Sequence, residues 1–247
     1  MVPYNPGVAF HTEVTQVKVK PRLERVRYVA GLDVAQQHDW TALAVLELIY
    51  APNNHKKLDE IRLVALERWQ KLYPDTLQEL GVIFSEETLK RRTILATDAT
   101  GPGLHLYEDM VRDEALISCV GRERITPVVI TPGQNEGRDG KFRHVPKHLL
   151  ITRLQSAIRR RQIRVPRKLP LYNILESELE GYEMKIREGS KHVTFSNNPR
   201  DGGPEHDDTI LALAIAWWRA NYKPKGSRKL RIKVGKGTWP SLPWTPP

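Results

Sequence analysis

Cysteine is nearly missing from this sequence, which has one, Cys119, in 247 residues. A single thiol cannot close an internal disulfide, so we expect no disulfide framework and a reducing, intracellular setting. Long hydrophobic runs are missing too. The longest uncharged apolar run, Thr209 to Trp218, has about half of the roughly 20 residues that cross a bilayer, and the first residues lack a secretory signal pattern. We therefore predict a cytoplasmic protein with no membrane partner.

Negative charge is scarce at both ends of the chain, which has an overall net charge of +10. Residues 1–27 have a net charge of +3, residues 223–247 have +7 with no acidic side chain, and residues 28–222 are neutral. Basic arms on a neutral body are typical of proteins that bind a polyanion such as nucleic acid, although such arms can serve solubility alone. We predict an N-terminal arm or linker at 1–27, one domain at 28–222 and a proline-containing tail at 223–247.

The order of apolar segments predicts an α/β domain, a mixed central sheet flanked by helices on both faces. Strands are expected at Tyr28–Ala35, Trp40–Ile49, Ile61–Trp69, Thr93–Asp98, Ile125–Thr131 and 191–196. Helices are expected at Pro74–Arg92 with a break near Gly81, at 104–116, at Lys147–Arg161, at 171–186 and at 202–218. The polar, glycine-containing segment 132–146 is expected to be a loop.

Four carboxylates lie at positions where burial would make a negative charge unfavourable. Asp33 lies inside an apolar strand, Asp98 ends a strand just before a glycine turn, and Asp207 and Asp208 directly precede the most apolar helix. Each has an ordinary explanation: an acid at a helix start often caps the helix, and an acid before a turn often caps the turn. Together, however, they would repel each other unless a cation neutralised them.

Clustered carboxylates of this kind suit phosphodiester hydrolysis. Two divalent cations can activate a water and stabilise the leaving oxygen, and oxygen ligands favour Mg²⁺ or Mn²⁺. We therefore expect Asp33, Asp98 and Asp207 to be catalytic, and these three together with Asp208 to bind two Mg²⁺ or Mn²⁺ ions. Asp39 and His206 are expected near the site or in ordinary surface roles.

Several stretches resemble one family in order along the chain. They are "GLDVAQQHDWTALAVLEL" (Gly31–Leu48), "TDATGPG" (Thr97–Gly103), "KHLLITRLQSAIRRRQIRVP" (Lys147–Pro166), "ESELEGY" (Glu176–Tyr182) and "HDDTILALAIAWW" (His206–Trp218). The family is the nuclease domain of the large terminase subunit of tailed bacteriophages, which has an RNase H-like fold. The resemblance covers most of residues 28–222.

The resemblance implies a metal-dependent endonuclease that cuts double-stranded DNA during viral genome packaging, in the cytoplasm of the host cell. Asp33 and Asp98 match the first two catalytic acids of the family, and the pair Asp207-Asp208 matches the third. The implied partners are double-stranded DNA, a packaging ATPase, the small terminase subunit and the portal. The chain departs from full-length large terminases because it has no G-x-x-x-x-G-K-[ST] phosphate loop.

Three other functions remain open on the sequence alone. A junction resolvase or transposase-like nuclease would use similar acids, and a non-catalytic RNase H-like module would bind DNA or dock to a motor or portal without cutting. An actin-like ATPase ranks last because its glycine-rich phosphate loops are missing.

Basic side chains in the body are candidates for DNA contacts through phosphate. They are Lys141, Arg143, Lys147, Arg159, Arg160 and Arg161. A run of arginines at a helix C-terminus is also often merely solvated, since it complements the helix dipole.

Overall fold

The computed structural model describes residues 26–35, 39–52, 54–181, 183–186, 193–196 and 206–222. The predicted arm and tail lie outside these ranges, apart from Val26 and Arg27. None of the described helices has the length and apolarity needed to cross a membrane.

The described chain alternates strands and helices. The strands are β1 (Tyr28–Asp33), β2 (Thr41–Ala51), β3 (Asn54–Trp69), β4 (Thr93–Asp98), β5 (Ile125–Thr131), β6 (Gly137–Asp139), β7 (Phe142–Pro146), β8 (Glu183–Ile186) and β9 (Val193–Ser196). The helices are α1 (Tyr73–Ser85), α2 (Gly103–Met110), α3 (Glu114–Val120), α4 (Lys147–Arg159), α5 (Tyr172–Gly181) and α6 (Asp208–Asn221).

The central sheet has seven strands in the order β3-β2-β1-β4-β5-β7-β6. Strand β1 pairs antiparallel with β2 and parallel with β4, and β4, β5 and β7 continue in the same direction. The mixed sheet predicted from the sequence is thus confirmed. Because Leu32 pairs with Thr97, the carboxyl ends of β1 and β4 place Asp33 and Asp98 side by side at one edge of the sheet.

Helices cover both faces of the sheet, as predicted. One core joins the sheet to α4, α5 and α6, and the other joins the opposite face to α1, α2 and α3. Period-two alternation along β1 divides its side chains between these layers: Val29 belongs to the first core, whereas Ala30 and Leu32 belong to the second.

Helix α6 is buried on every side from Asp208 to Trp218, because it is enclosed by the sheet, α4 and α5. Its contact with β1 depends on Gly31. A Cβ atom at this position would lie 2.1 Å from the carbonyl oxygen of Ala212 and 2.4 Å from the nitrogen of Ala216. Glycine therefore lets α6 lie directly on β1, which brings the start of α6 to the strand end at Asp33.

Two predicted helices differ from those observed. Gly81 does not break α1, because a single glycine costs a helix interior only about 0.5–1 kcal/mol. The helix ends at Ser85, before the predicted Arg92. The segment 104–116 forms two helices instead of one. The Asp113 carboxylate accepts a hydrogen bond from the Leu116 backbone N–H at 2.6 Å and so starts α3 as a separate helix.

Two other segments contain strands that were not predicted. The expected loop at 132–146 contains the hairpin of β6 and β7, which turns at Gly140 with a left-handed φ of +51°. The expected helix at 171–186 ends at Gly181, and β8 follows it and pairs with β9. These strands have three to five residues each, too few to show a clear period-two pattern.

Candidate active site

Asp33 and Asp98 hold the two inner positions of the site, at the ends of neighbouring parallel strands. Their side chains are buried, with exposures of 8% and 9%. The backbone of α2 closes over Asp98, since a Cβ atom at Gly103 would lie 2.6 Å from the Asp98 carbonyl oxygen. The fold thus removes both carboxylates from bulk water, which disfavours their charged forms.

The orientation of Asp98 is set by Thr100. Asp98 Oδ1 accepts hydrogen bonds from the Thr100 backbone N–H at 2.8 Å and from its hydroxyl at 2.5 Å. The Thr100 hydroxyl oxygen in turn accepts a hydrogen bond from the backbone N–H of Ile130 on β5. The turn-capping role considered for Asp98 is therefore real, and it also fixes the carboxylate at the strand end.

Asp207 and Asp208 lie at the start of α6, but Asp207 makes no side-chain capping hydrogen bond. The helix is capped instead by Glu178 of α5, whose Oε2 accepts from the Thr209 hydroxyl at 2.6 Å and from the Ile210 backbone N–H at 2.9 Å. Because Glu178 takes over the capping role, both aspartates at the helix start remain available for other partners.

Each of these aspartates is paired with a different basic side chain. Asp207 Oδ2 accepts a hydrogen bond from Lys147 Nζ, at the first residue of α4, over 2.7 Å. Asp208 Oδ2 accepts one from Arg68 Nη2 of β3 over 3.1 Å. Two side-chain cations of the chain thus already oppose part of the negative charge of the cluster.

The electrostatics show how closely the acids converge. Burial raises the pKa of Asp33 well above its usual range; Asp98, Asp208 and Asp207 raise this pKa further, whereas Lys147 lowers it. Burial also raises the pKa of Asp98, opposed by its hydrogen bonds from Thr100 and by Lys147. The four carboxylates, brought together from three elements, therefore share one electrostatic environment.

Asp208 and Glu178 have raised pKa values as well. Burial raises the pKa of Asp208 to about 6, although Arg68 and His206 act in the opposite direction. Burial raises the pKa of Glu178 to about 7, opposed by its hydrogen bonds from Thr209 and Ile210. Asp208 also lines a cleft, and a perturbed acid in a cleft is typical of functional sites.

A cleft of about 470 Å³ opens over three of the four aspartates. It is lined by Asp33, Val34, Ala35, Asp39, Pro102, His206, Asp207 and Asp208. Asp39 and His206 thus border the acids, in the positions considered for them from the sequence. The cleft gives a substrate access to carboxylates that are otherwise buried.

The chemistry of the donor set fits hard divalent cations, because all its members are carboxylates and their mutual repulsion is the kind that Mg²⁺ or Mn²⁺ relieves. The side-chain arrangement is not a finished metal cage, however. Among the described residues, no three His, Cys, Asp or Glu side chains form a group that could hold an ion. One oxygen of Asp207 and one oxygen of Asp208 are already paired with basic side chains.

The predicted DNA contacts fall in three places. Lys147 lies in the site itself, paired with Asp207. Lys141 and Arg143 lie on the β6–β7 hairpin, where their cationic groups stand over the rings of Tyr107 and Tyr222 at 4.8 Å and 5.5 Å. Residues 159–161 are exposed at the far end of α4, about 20 Å from Lys147 by the length of its 13 residues.

Three residues that shape the site were not predicted: Arg68, Glu178 and Thr100. Arg68 and Glu178 act through partners that are distant in sequence, Asp208 and the start of α6. Thr100 acts through a hydroxyl that no sequence pattern marks. Glu178 left no sequence signal either, since it is one of three glutamates in "ESELEGY".

Several solved structures that are similar to this chain are terminase nucleases. The large terminase nuclease of thermophilic phage G20c matches 83% of this chain and 86% of its own, with 18% identity and a TM-score of 0.46. This chain is similar to terminase nuclease domains.

Two further terminase nucleases show the same similarity. The human cytomegalovirus terminase nuclease domain, Mn soaked, matches 77% of this chain and 81% of its own, with 14% identity and a TM-score of 0.45. The large terminase nuclease domain of bacteriophage SPP1, with bound Mn, matches 81% and 88%, with 12% identity and a TM-score of 0.43. No protein-family model and no curated protein sequence matches the chain.

Proposed function

We propose that this chain is a metal-dependent endonuclease that hydrolyses double-stranded DNA. The observation that carries the proposal is the convergence of four acids: Asp98, Asp207 and Asp208 are close enough to raise the pKa of Asp33. Three of the four, Asp33, Asp207 and Asp208, line one cleft. Such a cluster costs folding free energy, and a divalent cation would relieve that cost.

The acids would have different roles in this activity. Asp33 and Asp98 would hold a divalent cation together with Asp208, which is buried and affects Asp33 more strongly than Asp207 does. Asp207, predicted from the sequence as the catalytic member, is the more exposed and would complete a second site. When bound, the two ions would supply Lewis-acid activation of water and stabilise the leaving oxygen.

The remaining groups would bind and orient the DNA. Lys147 is partly exposed beside the acids, so its positive charge would favour the approach of a DNA phosphate. Lys141 and Arg143 on the hairpin, and residues 159–161 at the far end of α4, would add phosphate contacts without reading bases. We propose viral genome packaging as the setting, with a separate packaging ATPase, small terminase subunit and portal as partners.

The direct test is cleavage of supercoiled plasmid by the wild type and by Asp33→Asn, with Mg²⁺, with Mn²⁺ and with EDTA. The proposal predicts nicking and linearisation by the wild type only when a divalent ion is present, and none by the variant. Asp59→Asn is the matched control, because Asp59 is an exposed strand carboxylate outside the cleft. Cleavage that persists in EDTA or in Asp33→Asn would contradict the proposal.

One observation favours a second candidate, a non-catalytic DNA-binding or docking module. Lys147 and Arg68 already neutralise Asp207 and Asp208, so the cluster can exist without a metal ion. In that case neither protein would cut the plasmid under any ionic condition, while a gel-shift assay would show that both bind it.

A further inference from the structure

The two basic partners of the acid cluster are built in different ways. Arg68 is part of β3, in register with Ala42, which itself pairs with Asp33. Its side chain is only 10% exposed, and its guanidinium lies 4.4 Å from the ring centroid of Trp40. The guanidinium therefore has little freedom to move, because its strand is paired, its side chain is largely buried and it packs on the Trp40 ring.

Lys147 is held less firmly. It is the first residue of α4, and its side chain is 34% exposed. Its ammonium acts on three acids at once, through the ion pair with Asp207 and through its charge on Asp33 and Asp98. Lys147 thus acts on three of the four acids, whereas Arg68 forms its ion pair with the fourth, Asp208.

The geometry of Arg68 has a cost that simple charge balance does not explain. Its Nε is buried without a hydrogen-bond partner in the described part of the chain, and an orphaned buried donor disfavours folding. A flexible, solvated cation would neutralise Asp208 without this cost. The rigid placement therefore serves the position of the carboxylate more than its charge.

We propose that Arg68 is a positioning residue, which holds the Asp208 carboxylate in the cleft in the orientation that binds a divalent cation. The inference rests on the proposed metal-dependent function of the same site. Lys147, in contrast, is a counter-charge that an incoming cation replaces. The two basic residues therefore have opposite effects on cation binding.

The experiment is isothermal titration calorimetry of Mn²⁺ into the full chain, comparing the wild type with Arg68→Met and Lys147→Met. Each variant loses one positive charge from the site, so relief of repulsion alone would tighten Mn²⁺ binding in both. We expect Lys147→Met to bind Mn²⁺ roughly three- to tenfold more tightly. We expect Arg68→Met to bind it about tenfold or more weakly, the scale seen when a partner that orients a ligand is removed.

A conservative pair guards against a folding defect. Arg68→Lys keeps the charge but loses the planar, multi-donor geometry, and Lys147→Arg keeps the charge of the other residue. We expect Arg68→Lys to bind Mn²⁺ more weakly than the wild type, and Lys147→Arg to bind it within about twofold, as a retained charge predicts. Thermal melts without metal identify which variants are folded, and only folded variants enter the comparison.

The outcomes separate the inference from the proposed function. If Arg68→Met, or Arg68→Lys where Arg68→Met does not fold, binds Mn²⁺ at least as tightly as the wild type, Arg68 is only a counter-charge and the inference is overturned while the nuclease proposal stands. If the wild type does not bind Mn²⁺ at millimolar concentration, the proposed function fails and the inference fails with it. Weaker binding by the Arg68 variants with tighter binding by Lys147→Met supports the inference.

Discussion

The two ends of helix α4 carry positive charge in contrasting surroundings. At its start, Lys147 is half-buried and pairs with Asp207 at 2.7 Å, inside a cluster of four carboxylates. At its end, residues 159–161 are exposed. The chain that follows them forms a backbone bridge from Arg164 to Arg62 of β3, the strand at the other edge of the sheet. About 20 Å of helix separates the two ends.

The contrast shows which charge pattern indicates chemistry. A buried charge loses its hydration and must be compensated, so a cluster of buried acids calls for a function that offsets its cost. Exposed arginines keep their hydration and cost almost nothing, so their presence alone says little. Substitutions can test this difference between buried charges and exposed charges.

The largest expected effect is on cleavage when an inner acid is neutralised. Asp33→Asn or Asp98→Asn should lower the plasmid cleavage rate by roughly 10⁴-fold, the scale of losing an acid from a catalytic unit. The same variants should melt at a higher temperature than the wild type without metal, because a repulsive, desolvated charge is removed. A variant that loses activity and unfolds would instead make the acid structural.

The second prediction concerns the packing that assembles the site. Gly31→Ala places a Cβ atom 2.1 Å from the Ala212 carbonyl oxygen, so α6 must move away from β1. We expect a loss of at least about 2 kcal/mol in the free energy of unfolding, measured by urea denaturation.

A second glycine provides the control for this variant. Gly81 lies in α1 with open space around its Cβ position, and Gly81→Ala should stabilise the protein by about 0.5–1 kcal/mol. Equal effects of the two substitutions would show that the close approach of α6 to β1 is not needed.

The third prediction is a pH dependence of stability. The folded pKa values of Asp208 and Glu178, about 6 and about 7, lie above their usual values of 3.8 and 4.5. Between pH 5 and 8 the folded protein therefore binds more protons than the unfolded chain, and stability falls as the pH rises through 6 and 7. The metal-free protein should melt at a higher temperature at pH 5 than at pH 8, by a few degrees in a thermal melt.

Divalent ions should reverse this trend, since an ion bound to ionised carboxylates stabilises the folded state most at high pH. The melting temperature with Mg²⁺ should therefore rise most at pH 8. Asp208→Asn should flatten the metal-free profile. A metal-free protein that is more stable at pH 8 than at pH 5 would contradict the electrostatics of the cluster.

The smallest effect is expected at the exposed C-terminal end of α4. Replacing Arg159, Arg160 and Arg161 with Ala should weaken duplex DNA binding uniformly across sequences and lower the salt slope by up to about 2.7, or about 0.9 for each DNA phosphate that is no longer neutralised. Metal-dependent cleavage at low salt and saturating DNA should be unchanged. An unaltered salt slope would show that this cluster is merely solvated.

Much of the fold could be predicted because its strands are marked locally. The strand Thr93–Asp98 and the strand Ile125–Thr131 have the predicted bounds, and the apolar stretch after Asp207 forms the buried helix that its composition requires. The β6–β7 hairpin could not be predicted in the same way. Its strands are short; β7 pairs with β5, and β6 pairs with β7 at the edge of the sheet.

The residues of the site also differ in whether the sequence marks them. Asp33 and Asp98 were identifiable because an acid in or at the end of an apolar strand is costly whatever surrounds it. Arg68 was not, because an arginine in a strand that alternates polar and apolar residues is ordinary until its partner is known. Its pairing with Asp208 joins positions 140 residues apart in the chain.

The sequence by itself determined which residues must be buried, and hence which acids would carry an energetic cost, since hydrophobicity and periodicity are local properties. Only the tertiary structure decided that these acids meet, that Glu178 caps α6 in place of Asp207, and that Arg68 and Lys147 share the charge of the pair. Those outcomes depend on the packing of α6 on β1 at Gly31, a distance between backbones that no local pattern specifies.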